Sequence, residues 1–192
     1  MSTARQPVVL LTGFEPFGRH RVNSSWEAVR LAGPRLGAGV IIARLPVDRI
    51  RAAYLLTGLL ERHRPDACLL TGLASGDRLR LEVVARRPRV LAGPDAPGRL
   101  CGSWPVAEAA LAARLSRLPA RVSVNAGRYV CDSTYWALLN FRNAHGWPRD
   151  AGFVHVPPLS GRFSAASLAR AIERIVRRRL ALRPSAAAET GR

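Results

Sequence analysis

Three side chains in this sequence of 192 residues carry groups suited to one acyl-transfer step: the thiol of Cys131, the imidazole of His155 and the carboxylate of Glu82. Cys131 stands in "VNAGRYVCDSTYWALLNF", residues 124 to 141, after an apolar run and a glycine-containing turn and just ahead of a helix-like pattern. A thiol at a helix N-terminus meets the positive end of the helix dipole and N–H groups that lack intrahelical partners. Both favour the thiolate, which is the nucleophile, so the position predicts a lowered pKa. A cysteine nucleophile needs a general base, and the base needs a group that fixes its orientation. Of the four histidines, His20, His63 and His145 fall in polar loops or near helix ends, whereas His155 lies in "GFVHVPP", close to the end of a strand. Glu82, in "RLRLEVVARR", is a charge among apolar strand neighbours and needs a partner if buried. Each has an ordinary alternative: His155 as a hydrogen-bonded core residue, Glu82 as half of a surface ion pair. Cys68 sits mid-strand beside alanine and leucine and reads as buried filler. Cys101 lies in a loop and shows no role.

The rest of the composition narrows the chemistry. The three cysteines are widely spaced and odd in number, which does not describe a disulfide framework. There is no CxxC, no HExxH and no pair of histidines one helical turn apart, so no metal site is expected. The opening "MSTARQPVVLLTGFEPFG" lacks the pattern of a secretory signal, and no apolar run reaches the ~18 residues of a membrane span; a cytoplasmic location is expected. The formal net charge is +17, and all thirty basic residues are arginine. Such a charge attracts anions in general, nucleic acid included. The densest run, "ARAIERIVRRRLALR" (169 to 183), repeats Ala, Ile, Val and Leu at helical spacing and has no interleaved aromatics for base stacking. It reads as an amphipathic helix with a solvated basic face rather than a nucleic-acid surface.

These groups must be positioned by strands alternating with helices. Strands are expected at 7–13, 39–47, 66–72, 78–87, 120–127 and 151–159. Helices are expected at 24–33, capped by Asn23 or Ser24, and at 48–63, 104–118, 132–145 and 164–182. The segment 78–87 alternates apolar and polar residues, as a strand with one wet face does. Residues 88–104, rich in Pro and Gly, read as a long irregular and therefore functional loop. The tail 184–192 reads as disordered, leaving one domain over 1–183. Alternation of this kind argues for an α/β fold with a largely parallel sheet and its active site at the carboxyl ends of the strands.

Read in order, the motifs resemble those of the pyroglutamyl peptidase I (pyrrolidone-carboxylate peptidase) family of cysteine peptidases. "TGFEPFGRHRVNSSWEAV" resembles the family opening TGFEPFG followed by VNPSWE, "TGLASGDRLRLEVVA" its GQAGGR segment, "NAGRYVCD" its AGTYVCN box and "GFVHVPP" its GFIHVP box. The resemblance runs from about Val8 to about Pro158. It implies an open twisted, mixed, mostly parallel sheet with helices on both faces, and a catalytic triad of Cys131, His155 and Glu82. It also implies Phe14 and Phe17 over a lactam ring, and Leu73 at a substrate-contacting position where the family has Gln. Peptides with a pyroglutamyl N-terminus would be the partners, no metal or cofactor would be needed, and the chain would form a homo-oligomer. Arg87 stands where the family has Asn, Ala92 where a DDAR motif has its arginine, and Asp132 where the residue after the nucleophile is Asn. An altered specificity, a weakened peptidase or a binding scaffold is the alternative that these changes suggest.

Overall fold

A computed structural model describes residues 5–182 apart from 92 and 94; the expected disordered tail and Ala92 lie outside the described residues. "VLLTGF" folds as β1 (Val9–Phe14) and is buried along its whole length, as a central strand covered on both faces must be. The chain continues through α1 (Ser24–Leu36), β2 (Val40–Leu45), α2 (Arg49–His63), β3 (Ala67–Leu73), β4 (Leu79–Glu82), β5 (Val84–Arg86) and β6 (Arg99–Cys101). It ends with α3 (Val106–Leu115), β7 (Ala120–Ser123), α4 (Val130–His145), β8 (Asp150–Val156) and α5 (Ala165–Ala181). Caps are local and legible. Asn23 accepts from Ser25 N–H at the start of α1, Asp48 from Ile50 and Arg51 N–H at the start of α2, and Ser164 from Ser167 N–H at the start of α5. The first helix runs past the expected stop at Gly33, which instead packs against β2: a Cβ there would collide with Ile42 Cγ2.

The six-stranded sheet has the order β2-β1-β3-β8-β4-β7. The first four strands are mutually parallel, and β4 pairs antiparallel with β8 and parallel with β7. This is the expected mixed, mostly parallel α/β sheet. Alternation splits its residues between two cores. Leu11, Leu69, Leu79, Leu81, Val154 and Val156 pack with α1, α3 and α5; Leu10, Phe14, Cys68, Leu70 and Phe153 pack with α2 and α4. The basic run near the C-terminus is the expected amphipathic helix, burying Leu168, Ile172, Ile175 and Val176. Among the described residues no helix is long and apolar enough to cross a membrane.

Two expectations are corrected around Glu82. The segment 78–87 is two strands rather than one. At Val83 the chain leaves the sheet, its N–H bonded to Ser123 O (2.8 Å) and its carbonyl to Gly102 N–H (2.8 Å). The strand β5 then pairs with β6, formed by part of the loop expected to be irregular. The expected strand 120–127 ends at Ser123, and residues 124–129 turn back toward α4 instead.

Candidate active site

Cys131 is the second residue of α4 rather than the residue before it. The approach is built by the loop 124–129. Asn125 Oδ1 accepts from Gly127 N–H (3.2 Å) and from Arg86 Nη1 (2.8 Å). Arg49 donates to the Arg128 carbonyl (2.6 Å) and lies over the Tyr129 ring at 5.2 Å. Tyr129 occupies the cap position without a side-chain cap bond, so the first-turn N–H groups keep their donors for another acceptor. The thiol rests on β3: a Cβ at Gly72 would lie 3.0 Å from Cys131 Sγ and 2.8 Å from Phe153 Cζ, so only glycine leaves room for the sulfur. Burial pushes the Cys131 thiol up to about 12, reinforced by the Glu82 and Asp132 carboxylates; its own backbone N–H and Arg80 pull the other way. The lowered pKa expected from the helix dipole is therefore overturned. Desolvation leaves the resting group a thiol.

Beside it, β8 and β4 bring imidazole and carboxylate together. His155 Nδ1 lies 2.8 Å from Glu82 Oε1, with Glu82 fully buried. An ionised carboxylate only accepts, so Nδ1 carries the hydrogen and Nε2 keeps its lone pair. Glu82 Oε2 accepts from Asn125 N–H (3.2 Å), and the buried Tyr135 hydroxyl donates to the Glu82 carbonyl (3.0 Å), fixing both ends of the residue. Burial alone would raise the Glu82 carboxyl, but hydrogen bonds from His155 and Ser123 and the charges of His155 and Arg80 hold it below its usual range. Burial holds His155 below its ordinary value against the opposing pull of Glu82, with Arg80 adding to the depression. At neutral pH the site thus holds thiol, neutral imidazole and carboxylate. The surface ion pair considered for Glu82 is excluded by its burial.

Cys131 and His155 line one pocket of about 250 Å³. Phe14, Phe17, Val47 and Leu73 supply its apolar wall, and Arg80 and Arg128 are its charged members. Phe14 is buried and Phe17 is 37% exposed at the rim. The motif that carries them is braced by Phe14 N–H on Ser25 Oγ (3.0 Å), Ser25 Oγ on Asn23 Oδ1 (2.8 Å) and Asn23 Nδ2 on the Glu15 carbonyl (2.9 Å). Of the departures noted in the sequence that fall among the described residues, Leu73 lines the pocket, and Arg87 and Asp132 do not. Arg87 folds away into the loop, donating to Ala96 O at 2.7 Å. Asp132 is buried beside the site and accepts from Arg86 N–H (3.0 Å); burial raises its carboxyl. Sequence reasoning missed Arg80, Asn125 and Tyr135. Arg80 was within reach, since strand alternation puts it on the same face as Glu82 two residues later; Asn125 and Tyr135 act through contacts made only on folding.

The class that fold and relatives define is a cysteine omega peptidase on an α/β sheet. The family model described as pyroglutamyl peptidase matches residues 7–90 and 89–167. A pyrrolidone-carboxylate peptidase of Thermococcus kodakarensis is 38% identical over 165 residues, 78% of this chain and 80% of the relative. One of Deinococcus radiodurans is 38% identical over 172 residues, 79% of this chain and 78% of that protein. The solved pyrrolidone carboxyl peptidase from Thermococcus litoralis superposes with a TM-score of 0.80 at 26% identity, covering 92% of this chain and 94% of that one. The chain belongs to the pyroglutamyl peptidase family.

Proposed function

We propose that this protein hydrolyses the amide bond after an N-terminal pyroglutamyl residue, with Cys131 as nucleophile, His155 as general base and acid, and Glu82 as the group that orients the imidazole. The observation that carries the reading is the 2.8 Å contact from His155 Nδ1 to Glu82 Oε1, in a pocket whose wall also includes Cys131. As sulfur attacks the pyroglutamyl carbonyl, its proton passes to His155 Nε2. Because the resting pair is neutral, this transfer accompanies attack and does not precede it. The first-turn N–H groups of α4 stabilise the oxyanion as it forms. Collapse breaks the C–N bond, and the leaving amine takes the proton from Nε2. Water then gives a proton to His155 and its oxygen to the thioester, which releases pyroglutamate and restores the thiol.

The lining supports a blocked N-terminus on two counts. Its apolar wall penalises a free ammonium by desolvation, and Arg80 and Arg128 repel one. The test is release of a chromophoric amine from a pyroglutamyl arylamide by the wild type and by Cys131→Ala. Turnover that disappears in the variant supports both nucleophile and substrate; a folded wild type that leaves the arylamide intact overturns the reading.

A further inference from the structure

The pocket is polarised along the sheet. Phe14 on β1, Leu73 on β3, His155 on β8 and Arg80 on β4 follow one another in strand order. The sulfur sits against Gly72 on β3, so the apolar slot lies on one side of it and Arg80 on the other. Arg80 is the direct cross-strand partner of His155 in the antiparallel β4–β8 pair, which turns both side chains to the same face. With strands about 4.8 Å apart, β4 lies about 10 Å across the sheet from the strand under the sulfur, the distance of a residue beyond the scissile bond.

The guanidinium on β4 is only partly committed. Its Nε stands 3.5 Å from Glu82 Oε1, too long for a good hydrogen bond, and its side chain makes no other hydrogen bond or ion pair among the described residues. The side chain is 24% exposed, at the pocket wall. Arg128 is exposed on the same lining, and no Asp or Glu stands among the described lining residues. An arginine with free donors in a partly desolvated wall is a carboxylate receptor.

We infer that Arg80, with Arg128 in support, makes this enzyme prefer substrates carrying a carboxylate on the residue that follows the pyroglutamyl group. This rests on the pyroglutamyl reading above. The carboxylate is either an acidic side chain or the free C-terminus of a pyroglutamyl dipeptide.

The experiment compares kcat/KM for pyroglutamyl-Glu-amide against pyroglutamyl-Gln-amide, and for pyroglutamyl-Ala acid against pyroglutamyl-Ala-amide, in the wild type and Arg80→Gln. Charge-assisted hydrogen bonding in a half-buried wall gives about a tenfold preference for the anionic member. It shrinks to about two- to threefold in Arg80→Gln and declines with added salt, as an exposed or half-exposed charge contact must. A preference in the first pair identifies the side chain as the source, and in the second the terminal carboxylate. Each ratio is taken within one protein, so a general loss of activity in the variant cancels. Ratios near one in both wild-type pairs, or ratios undiminished in Arg80→Gln, overturn the inference while hydrolysis of the amides leaves the pyroglutamyl reading standing. Calorimetric binding of the same four peptides to Cys131→Ala reads the preference without turnover. If the wild type cleaves none of them, anionic selectivity in that binding still supports a carboxylate receptor, and its absence overturns it.

Discussion

Two of the donors to the Glu82 carboxylate, His155 Nδ1–H and Asn125 N–H, take different oxygens, and Glu82→Gln sets them against each other. Oε1 receives His155 Nδ1–H at 2.8 Å and Oε2 receives Asn125 N–H at 3.2 Å. A carboxamide has one acceptor oxygen, so its NH2 must face one of them. If it faces Asn125, two donors meet in a buried site and stability falls by about 1–3 kcal/mol, while His155 keeps its tautomer. If it faces His155, the imidazole must accept at Nδ1 and carry its hydrogen on Nε2, where it cannot take the thiol proton. The second arrangement leaves folding nearly intact and costs on the order of 10²–10⁴ in kcat. The imidazolium formed during attack also loses its counter-charge in either arrangement. The expectation is therefore a kcat reduced at least 100-fold on a pyroglutamyl arylamide, within that range, and urea unfolding shifted by no more than the first penalty. Both are measured on one preparation. A folded Glu82→Gln protein with kcat within a few-fold of wild type would refute the orienting role and the tautomer argument with it.

Other consequences are sharper at particular residues. Gly72→Ala pushes a methyl group against Cys131 Sγ and Phe153; kcat should fall on the order of 10- to 100-fold and stability by about 1–3 kcal/mol, read by arylamide kinetics and urea titration. The acid limb of kcat/KM should have its midpoint below the ordinary imidazole value of 6.5, because burial depresses His155; in Arg80→Gln that limb should move upward, since Arg80 contributes to the depression. The same depressed group makes stability greatest above 6.5 and loses it as pH falls through the folded value, which thermal melts from neutral to acid pH will check. Of the three free thiols, Cys101 is exposed and Cys68 fully buried. In Cys101→Ser, iodoacetamide should therefore label a single thiol, Cys131, about tenfold more slowly when His155 is Ala; mass spectrometry of the labelled peptides decides it. Sedimentation tests the homo-oligomer expected from the sequence: it should give a mass above the 20.9 kDa of one chain.

Much of this was legible in the chain. Period-2 and period-3.6 patterns, with Asn23, Asp48 and Ser164 as caps, gave the alternation of strands and helices and hence the α/β class. The boundaries near Glu82 were not legible, because what takes the chain out of the sheet is the Val83 carbonyl turning to Gly102 N–H, nineteen residues on in sequence, a contact made only on folding. The candidate site followed from motif order, since Cys131, His155 and Glu82 each read ambiguously alone. The state of the thiol was beyond the sequence. The dipole at a helix start can be read from spacing, but the desolvation that opposes it depends on Gly72, Phe153 and the carboxylates that folding gathers around the sulfur.

The place of β8 in the sheet has a consequence for synthesis. It is the last strand among the described residues, yet it lies between β3 and β4. Until it inserts, the half of the sheet that carries Phe14 and Gly72 has no edge in common with the half that carries Glu82. His155 arrives on that same strand, 73 residues after Glu82. A growing chain therefore presents Cys131 and Glu82 before the imidazole proposed as the base has been made. On the proposed mechanism the joining of the two half-sheets and the completion of the proton relay are one event, so a ribosome-bound or truncated chain ending before β8 should be both unfinished as a sheet and without turnover of a pyroglutamyl arylamide.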